Sequence, residues 1–197
     1  MILLVDNYDS FTYNLAHQFA GTALKIMRND DSELLKAAAE ADAVVFSPGP
    51  GRPAEAGQME AVIAKLKGRI PMLGICLGHQ ALGEVFGAEV ITAPEIRHGK
   101  ISVLTHQGSG LFNNCQPETP IMRYHSLMLD PTTLPLELEV TGTCDGVVMG
   151  IKHRDYPLYG LQFHPESIGT KEGQQMIDNF LQVVSASREK REKKVQL

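Results

Sequence analysis

Cysteine, positive charge and long apolar runs are all scarce in this sequence, and each shortage removes a class of protein. Only three cysteines occur among 197 residues: Cys76, Cys115 and Cys144. They are odd in number and lack Cys-x-x-Cys spacing, which speaks against a disulfide framework or a zinc knuckle and fits a reducing compartment. The longest apolar stretch, residues 70–78, is about half of the roughly 18 residues a membrane span needs. The opening Met-Ile-Leu-Leu-Val-Asp has no basic flank and is cut short by Asp6, unlike a secretory signal. A formal net charge of −5 argues against a nucleic-acid binder. A soluble, cytoplasmic protein is the expectation.

What is present is an ordinary globular balance, 43% hydrophobic and 21% charged. The length suits one domain with a sizeable core. The first half alternates strand and helix patterns. Strands are read at residues 2–6, 24–28, 43–47 and 70–75. Helices are read between them, the first capped by Asp9 or Ser10 and stopped at Gly21, the second capped by Ser32, the others at about 55–67 and 79–86. Such alternation predicts βαβ units, hence an α/β fold with an open, mostly parallel sheet flanked by helices. From residue 89 to 163 the pattern changes to short strands, such as 101–105, 138–141, 147–153 and 158–163. These extend the sheet with antiparallel strands or form a small second sheet. A last helix at about 171–184 places Met176, Ile177, Phe180, Leu181 and Val184 on one face. The domain is read as residues 1–184. The tail 185–197 is basic, with five Lys/Arg against two Glu, and reads as a solvated or frayed helix end, with a docking arm as the alternative.

The most informative stretch is Gly74-Ile75-Cys76-Leu77-Gly78-His79-Gln80, a Gly-x-Cys-x-Gly between an apolar strand and a helix. It is the thiol form of a nucleophile elbow, whose sharp turn leaves no room for side chains two residues before and after the nucleophile. The turn would place Cys76 at the carboxyl end of the sheet, where open α/β sheets bind ligands. The helix N-terminus favours the thiolate, and the N–H of Leu77 becomes an oxyanion donor. A buried core cysteine is the plain alternative. Cys115 and Cys144 lie in turn-like surroundings and read as inert.

A thiol nucleophile calls for a base. Among seven histidines, His164 is the best placed, ending a strand and followed by Pro165 and Glu166. Residues two apart in extended chain share a side, so Glu166 can orient the imidazole while its other nitrogen faces the thiol. A zinc site at His164 and Glu166 lacks further ligands at recognisable spacing. Ser47-Pro48-Gly49-Pro50-Gly51 has neither the Lys-Ser/Thr of a P-loop nor Gly-x-Gly-x-x-Gly. It reads as a rigid loop aiming backbone N–H groups at the site, with Gly51 as a second oxyanion donor; a simple turn is the alternative.

Together with Asp6-Asn7-Tyr8-Asp9-Ser10-Phe11-Thr12, His98-Gly99-Lys100 and Arg123-Tyr124-His125-Ser126-Leu127, these segments resemble the class I glutamine amidotransferases. More narrowly they resemble the small glutaminase subunits of the chorismate-aminating synthases, anthranilate synthase and aminodeoxychorismate synthase. The resemblance runs from residue 1 to about 184. It implies a flavodoxin-like fold and glutamine hydrolysis through a γ-glutamyl thioester on Cys76, with His164 moving protons and Glu166 orienting it. It also implies glutamine and oxyanion contacts at Gly49, Pro50, Gly51, Leu77, Gln80, Ser126 and Leu127, with no cofactor and no metal. The implied partner is a large chorismate-binding synthase subunit that takes up the ammonia. Without the resemblance, the same residues also suit a free-standing cysteine hydrolase of γ-glutamyl compounds.

Overall fold

Strands buried on both faces read as near-continuous apolar runs, and three strands do so: β1 (Ile2–Asp6), apolar up to its final Asp6, β3 (Ala43–Phe46) and β4 (Met72–Ile75). The computed structural model describes residues 1–195, with only the backbone of Arg97, His98, Lys194 and Val195. β2 (Leu24–Arg28) pairs parallel with β1, β1 with β3, β3 with β4, and β4 with β9 (Leu158–Leu161). Alternate residues face opposite ways. Leu3, Val5, Val44, Phe46 and Met72 join one core with α2 (Leu34–Glu40), α3 (Met59–Leu66) and α4 (Leu77–Val85). Ile2, Leu4, Val45, Leu73 and Ile75 join the other with α1 (Thr12–His17) and α5 (Gly173–Val195). The α5 face is the one foreseen, with Met176, Ile177, Phe180 and Val184 buried.

The second half extends the same sheet. Its strands β5 (Val90–His106), β6 (Glu118–Leu129), β7 (Leu138–Cys144) and β8 (Val147–His153) are antiparallel, giving the nine-stranded order β2-β1-β3-β4-β9-β8-β7-β5-β6. β5 and β6 are long, 17 and 12 residues, where short strands were expected. Pro94 and Gly99 read as breaks, yet they fall at register shifts between Thr92 and Arg97 and between His98 and Lys100, so the ladder resumes beyond each irregularity.

Helix starts differ from the capping pattern too. The Asp9 carboxylate accepts the Phe11 N–H at 2.8 Å, and Asp6 Oδ1 accepts the Thr12 hydroxyl at 2.8 Å, so α1 starts at Thr12. Asp31 rather than Ser32 serves the entry to α2, accepting the Glu33 N–H at 2.9 Å. The tail continues α5 instead of leaving it. Arg191 donates to the carbonyl and carboxylate oxygens of Asp42 at 3.3 and 3.2 Å, and Asp42 also pairs with the N-terminal amine. The side chains of Lys194 and Val195, and all of Gln196 and Leu197, lie outside the described residues. Among the described residues no helix is long and apolar enough to cross a membrane.

Two glycines set how closely α4 approaches the sheet. A Cβ on Gly78 would stand 2.7 Å from both Cβ and the carbonyl oxygen of Phe46, and one on Gly74 would run into the Gly78 backbone. Helix propensity alone favours Ala over Gly by up to about 1 kcal/mol. Overpacking costs about 1–3 kcal/mol. Gly78→Ala is therefore expected to destabilise, by a net of up to about 2 kcal/mol in urea unfolding; a stabilised variant would show that α4 does not seat on β3 as described.

Candidate active site

Cys76 follows β4 and precedes α4, at φ 51° and ψ −99°. A non-glycine residue with positive φ is strained and persists only when its surroundings hold it. Its N–H donates to Leu161 at 2.7 Å, and its carbonyl accepts from Gln80 N–H at 3.1 Å. The first bond crosses to β9, the second belongs to α4. The elbow is thus pinned on both sides, with the thiol buried at 7% exposure at the head of a nine-residue helix.

His164 reaches the thiol because β9 is the neighbour of β4. Ile75 registers with Leu161, so the chains leaving the two strands carry Cys76 and residues 162–164 side by side. His164 N–H donates to Met122 O at 3.1 Å, and its carbonyl accepts from Thr170 at 2.7 Å. Its Nδ1 meets Glu166 Oε1 at 2.6 Å, with both side chains buried. Nε2 is buried outside hydrogen-bond geometry with any partner among the described residues, yet the thiol is close enough to act on the ring. Burial opposes a charged imidazole; Cys76 and Glu166 outweigh it and raise the His164 pKa to about 10. Asp9, half-buried, also faces this pair, and burial raises its own pKa.

Three other histidines do not compete. His79 is fully buried under the site, and burial pushes its pKa down to about 3, leaving it neutral. His106 stacks on Phe112, and His153 on Tyr156. Among the described residues, no group of three His, Cys, Asp or Glu side chains is arranged to hold a metal ion.

A cavity of about 190 Å³ opens beside the thiol. Gly49, Pro50 and Gly51 line it from the loop after β3, Leu77 and Gln80 from α4, and Ser126 and Leu127 from β6. All seven candidate binding residues therefore gather with Cys76, while His164 and Glu166 stand beside the thiol and outside the lining. The loop is stapled from β1. Asn7 N–H donates to Ser47 Oγ at 2.9 Å, and Asn7 Nδ2 to the Ser47 carbonyl at 2.8 Å. A Cβ on Gly49 would strike Asn7, and Gly51 sits at φ 76°.

Tyr124 and His125 also line the cavity, although the sequence pattern assigned them no chemistry. The Tyr124 ring meets His164 edge-on at 5.1 Å, and Phe11 stacks on Tyr124 at 5.9 Å. These rings cover the base. The signal was an aromatic residue within each of two recognised segments, Asp-Ser-Phe and Arg-Tyr-His. Gln162, at the head of the recognised Gln162-Phe163-His164-Pro165-Glu166-Ser167 segment, was assigned no role either; its Nε2 donates to Cys76 Sγ at 3.6 Å.

The sequence model of the "Glutamine amidotransferase class-I" family matches residues 3–184. Anthranilate synthase component 2 of Lactococcus lactis is 47% identical over 194 residues, covering 96% of this chain and 98% of that protein. Aminodeoxychorismate synthase component 2 of Klebsiella aerogenes is 47% identical over 185 residues, covering 92% and 99%. The crystal structure of a candidate GMP synthase subunit from Thermoplasma acidophilum superposes with a TM-score of 0.87 at 25% identity, covering 97% and 96%.

Iodoacetamide should alkylate Cys76 well before the other thiols. Burial pushes the Cys115 pKa up to about 11 and raises that of Cys144. Peptide mapping of partly labelled protein checks this, and equal labelling of all three would remove the case for an activated thiol. In Glu166→Gln the His164 pKa should fall, read from its ring-proton NMR shift against pH; an unchanged value would remove Glu166 as the orienting charge. An unfolded histidine titrates near 6.5, so the stabilisation from protonated His164 is complete below that pH and is lost as pH rises through about 10. The urea-unfolding free energy should decline across this window, and Glu166→Gln should flatten the decline.

Proposed function

The chain belongs to the class-I glutamine amidotransferases, and we propose that it serves as the glutaminase subunit of a chorismate-aminating synthase. The observation that carries this reading is one small cavity walled by Cys76 and the loop of Gly49 to Gly51, with the Glu166-bound His164 beside the thiol. At about 190 Å³ the cavity lies below the roughly 300 Å³ where drug-sized sites begin. That suits a free amino acid, with chorismate left to a second active site on a partner chain.

The chemistry follows from the atoms present. Gly49, Pro50, Gln80, Ser126 and Leu127 hold glutamine with its side-chain amide at the thiol. Cys76 Sγ attacks the amide carbon, and the N–H groups of Leu77 and Gly51 take the oxyanion. His164 gives its proton to the departing nitrogen, and ammonia leaves a γ-glutamyl thioester. His164 then takes a proton from water, whose oxygen attacks the thioester, and glutamate is released as the thiol is restored. Glu166 fixes the imidazole throughout. The ammonia passes to the large synthase subunit, consistent with relatives named component 2 of anthranilate synthase and of aminodeoxychorismate synthase. Three unpaired thiols suit work in the cytoplasm.

The test mixes the chain separately with an anthranilate-forming and an aminodeoxychorismate-forming large subunit, with chorismate and glutamine. Glutamine-dependent product with either or both supports the reading and assigns the pathway branch. Robust hydrolysis by the chain alone, with product from neither mixture, would instead make it a free-standing γ-glutamyl hydrolase. Cys76→Ser should lower glutamine-dependent activity by about 10⁴-fold or more, while ammonia still supports the assembled synthase.

A further inference from the structure

Gln162 is fully buried, two residues before His164, where the chain leaves β9. Its carboxamide touches two residues of the site at once. Nε2 donates to Cys76 Sγ at 3.6 Å, and Oε1 accepts from Gln80 Nε2 at 3.1 Å. The same Gln80 nitrogen donates to the Leu127 carbonyl at 3.1 Å.

The polarity of these bonds is dictated from one end. A guanidinium can only donate. Arg123, buried at 2% exposure, donates from Nε to His125 Nε2 at 3.1 Å. His125 therefore carries its proton on Nδ1, which donates to the Leu127 carbonyl at 2.9 Å. That carbonyl can only accept, so Gln80 must turn its amide nitrogen toward it. The remaining hydrogen of that nitrogen goes to Gln162, which must then offer its oxygen to Gln80 and its NH₂ to the sulfur. A backbone carbonyl of β6 thus decides that the nucleophile meets a donor.

We propose that Gln162 is a positioning residue of this site: it steadies the Cys76 sulfur and ties it to Gln80 on the cavity wall. This rests on the glutaminase reading and deepens it. A hydrogen bond to a charged acceptor is stronger than one to a neutral acceptor, so the Gln162 N–H grips the sulfur most firmly when it acts as the nucleophile. His164 holds the proton; Gln162 holds the sulfur in line. Because its other end is bonded to Gln80, filling the cavity and aligning the nucleophile become linked events. A Gln162 that only filled the core would stabilise the fold without affecting the sulfur.

Two substitutions separate these roles. Gln162→Glu keeps an acceptor for Gln80 and, in its ionised form, removes the donor from the sulfur. Gln162→Met keeps length and burial and removes both contacts. The readouts are the rate of Cys76 alkylation by iodoacetamide against pH, kcat and KM for glutamine in the assembled synthase, and Tm. Gln162→Glu should slow alkylation about tenfold, move its pH profile upward, and lower kcat about tenfold with KM within about twofold. Gln162→Met should also lower kcat and should raise KM about threefold or more, since Gln80 loses one of its two acceptors. Wild-type alkylation rates and pH profiles in the folded variants, with only Tm lowered, would overturn the proposal. If Gln162→Met does not fold, Gln162→Glu decides alone. The alkylation arm needs no glutamine turnover: if the wild-type chain proves inactive with every partner, the glutaminase reading falls, and the alkylation rates still decide whether Gln162 acts on the sulfur.

Discussion

Parallel pairing of β4 with β9 is the constraint on which the site depends. The two strands are far apart in sequence, and their register brings the ends of both to the same edge of the sheet. Cys76 leaves one strand and Gln162, Phe163 and His164 leave the other. The bond from Cys76 N–H to the Leu161 carbonyl closes this junction at the nucleophile itself. A one-residue slip would turn every side chain of β9 to the other face and separate base from thiol. The apolar cores on both faces therefore protect the chemistry as well as the fold, since they specify the register.

Burial acts in opposite ways on two histidines near this junction. His79 and His164 are both almost wholly removed from water. His79, one helix position before Gln80, has no carboxylate acting on it among the described residues, and burial drives it neutral, its pKa down to about 3. His164 meets Glu166 at 2.6 Å beside Cys76 and is driven the other way, to about 10. Desolvation penalises the charge at both sites; only a partner ion reverses the outcome, because the low dielectric that raises the penalty also strengthens the pair. The distinction between a base and a core histidine is thus made by the neighbouring thiol and carboxylate.

The parallel half of the fold was legible in the sequence because doubly buried strands leave unbroken apolar runs, and Gly74 and Gly78 mark the elbow that β4 feeds. His164 and Glu166 were legible for a similar reason: their separation of two is meaningful in extended chain without knowing the rest. The antiparallel half was less so. Pro94 and Gly99 look like strand ends, yet the partner strand β6 carries the ladder across both irregularities. Helix starts shifted because Asp9 and Asp31 satisfy N–H groups of the turns before α1 and α2 and not of the helices themselves. Gln162 was illegible because its role depends on Gln80 and Leu127, which approach it from α4 and β6, and no local spacing records that meeting.

That meeting shows what the antiparallel strands add. A parallel sheet alone would leave the elbow open at its carboxyl edge. β6 closes it: Met122 holds the His164 backbone, Tyr124 covers the imidazole, and Leu127 accepts from Gln80 and His125. Tyr124, His125, Ser126 and Leu127 all line the cavity, a run of neighbours that β6 supplies by crossing the edge where the parallel strands end. The long, irregular β5 keeps β6 in that position, with Thr105 and His106 bridging back to β7 and so to the body of the sheet. The second half of the chain is therefore the part that turns an exposed nucleophile into an enclosed one, and its strands are long because they must reach from the sheet to the site.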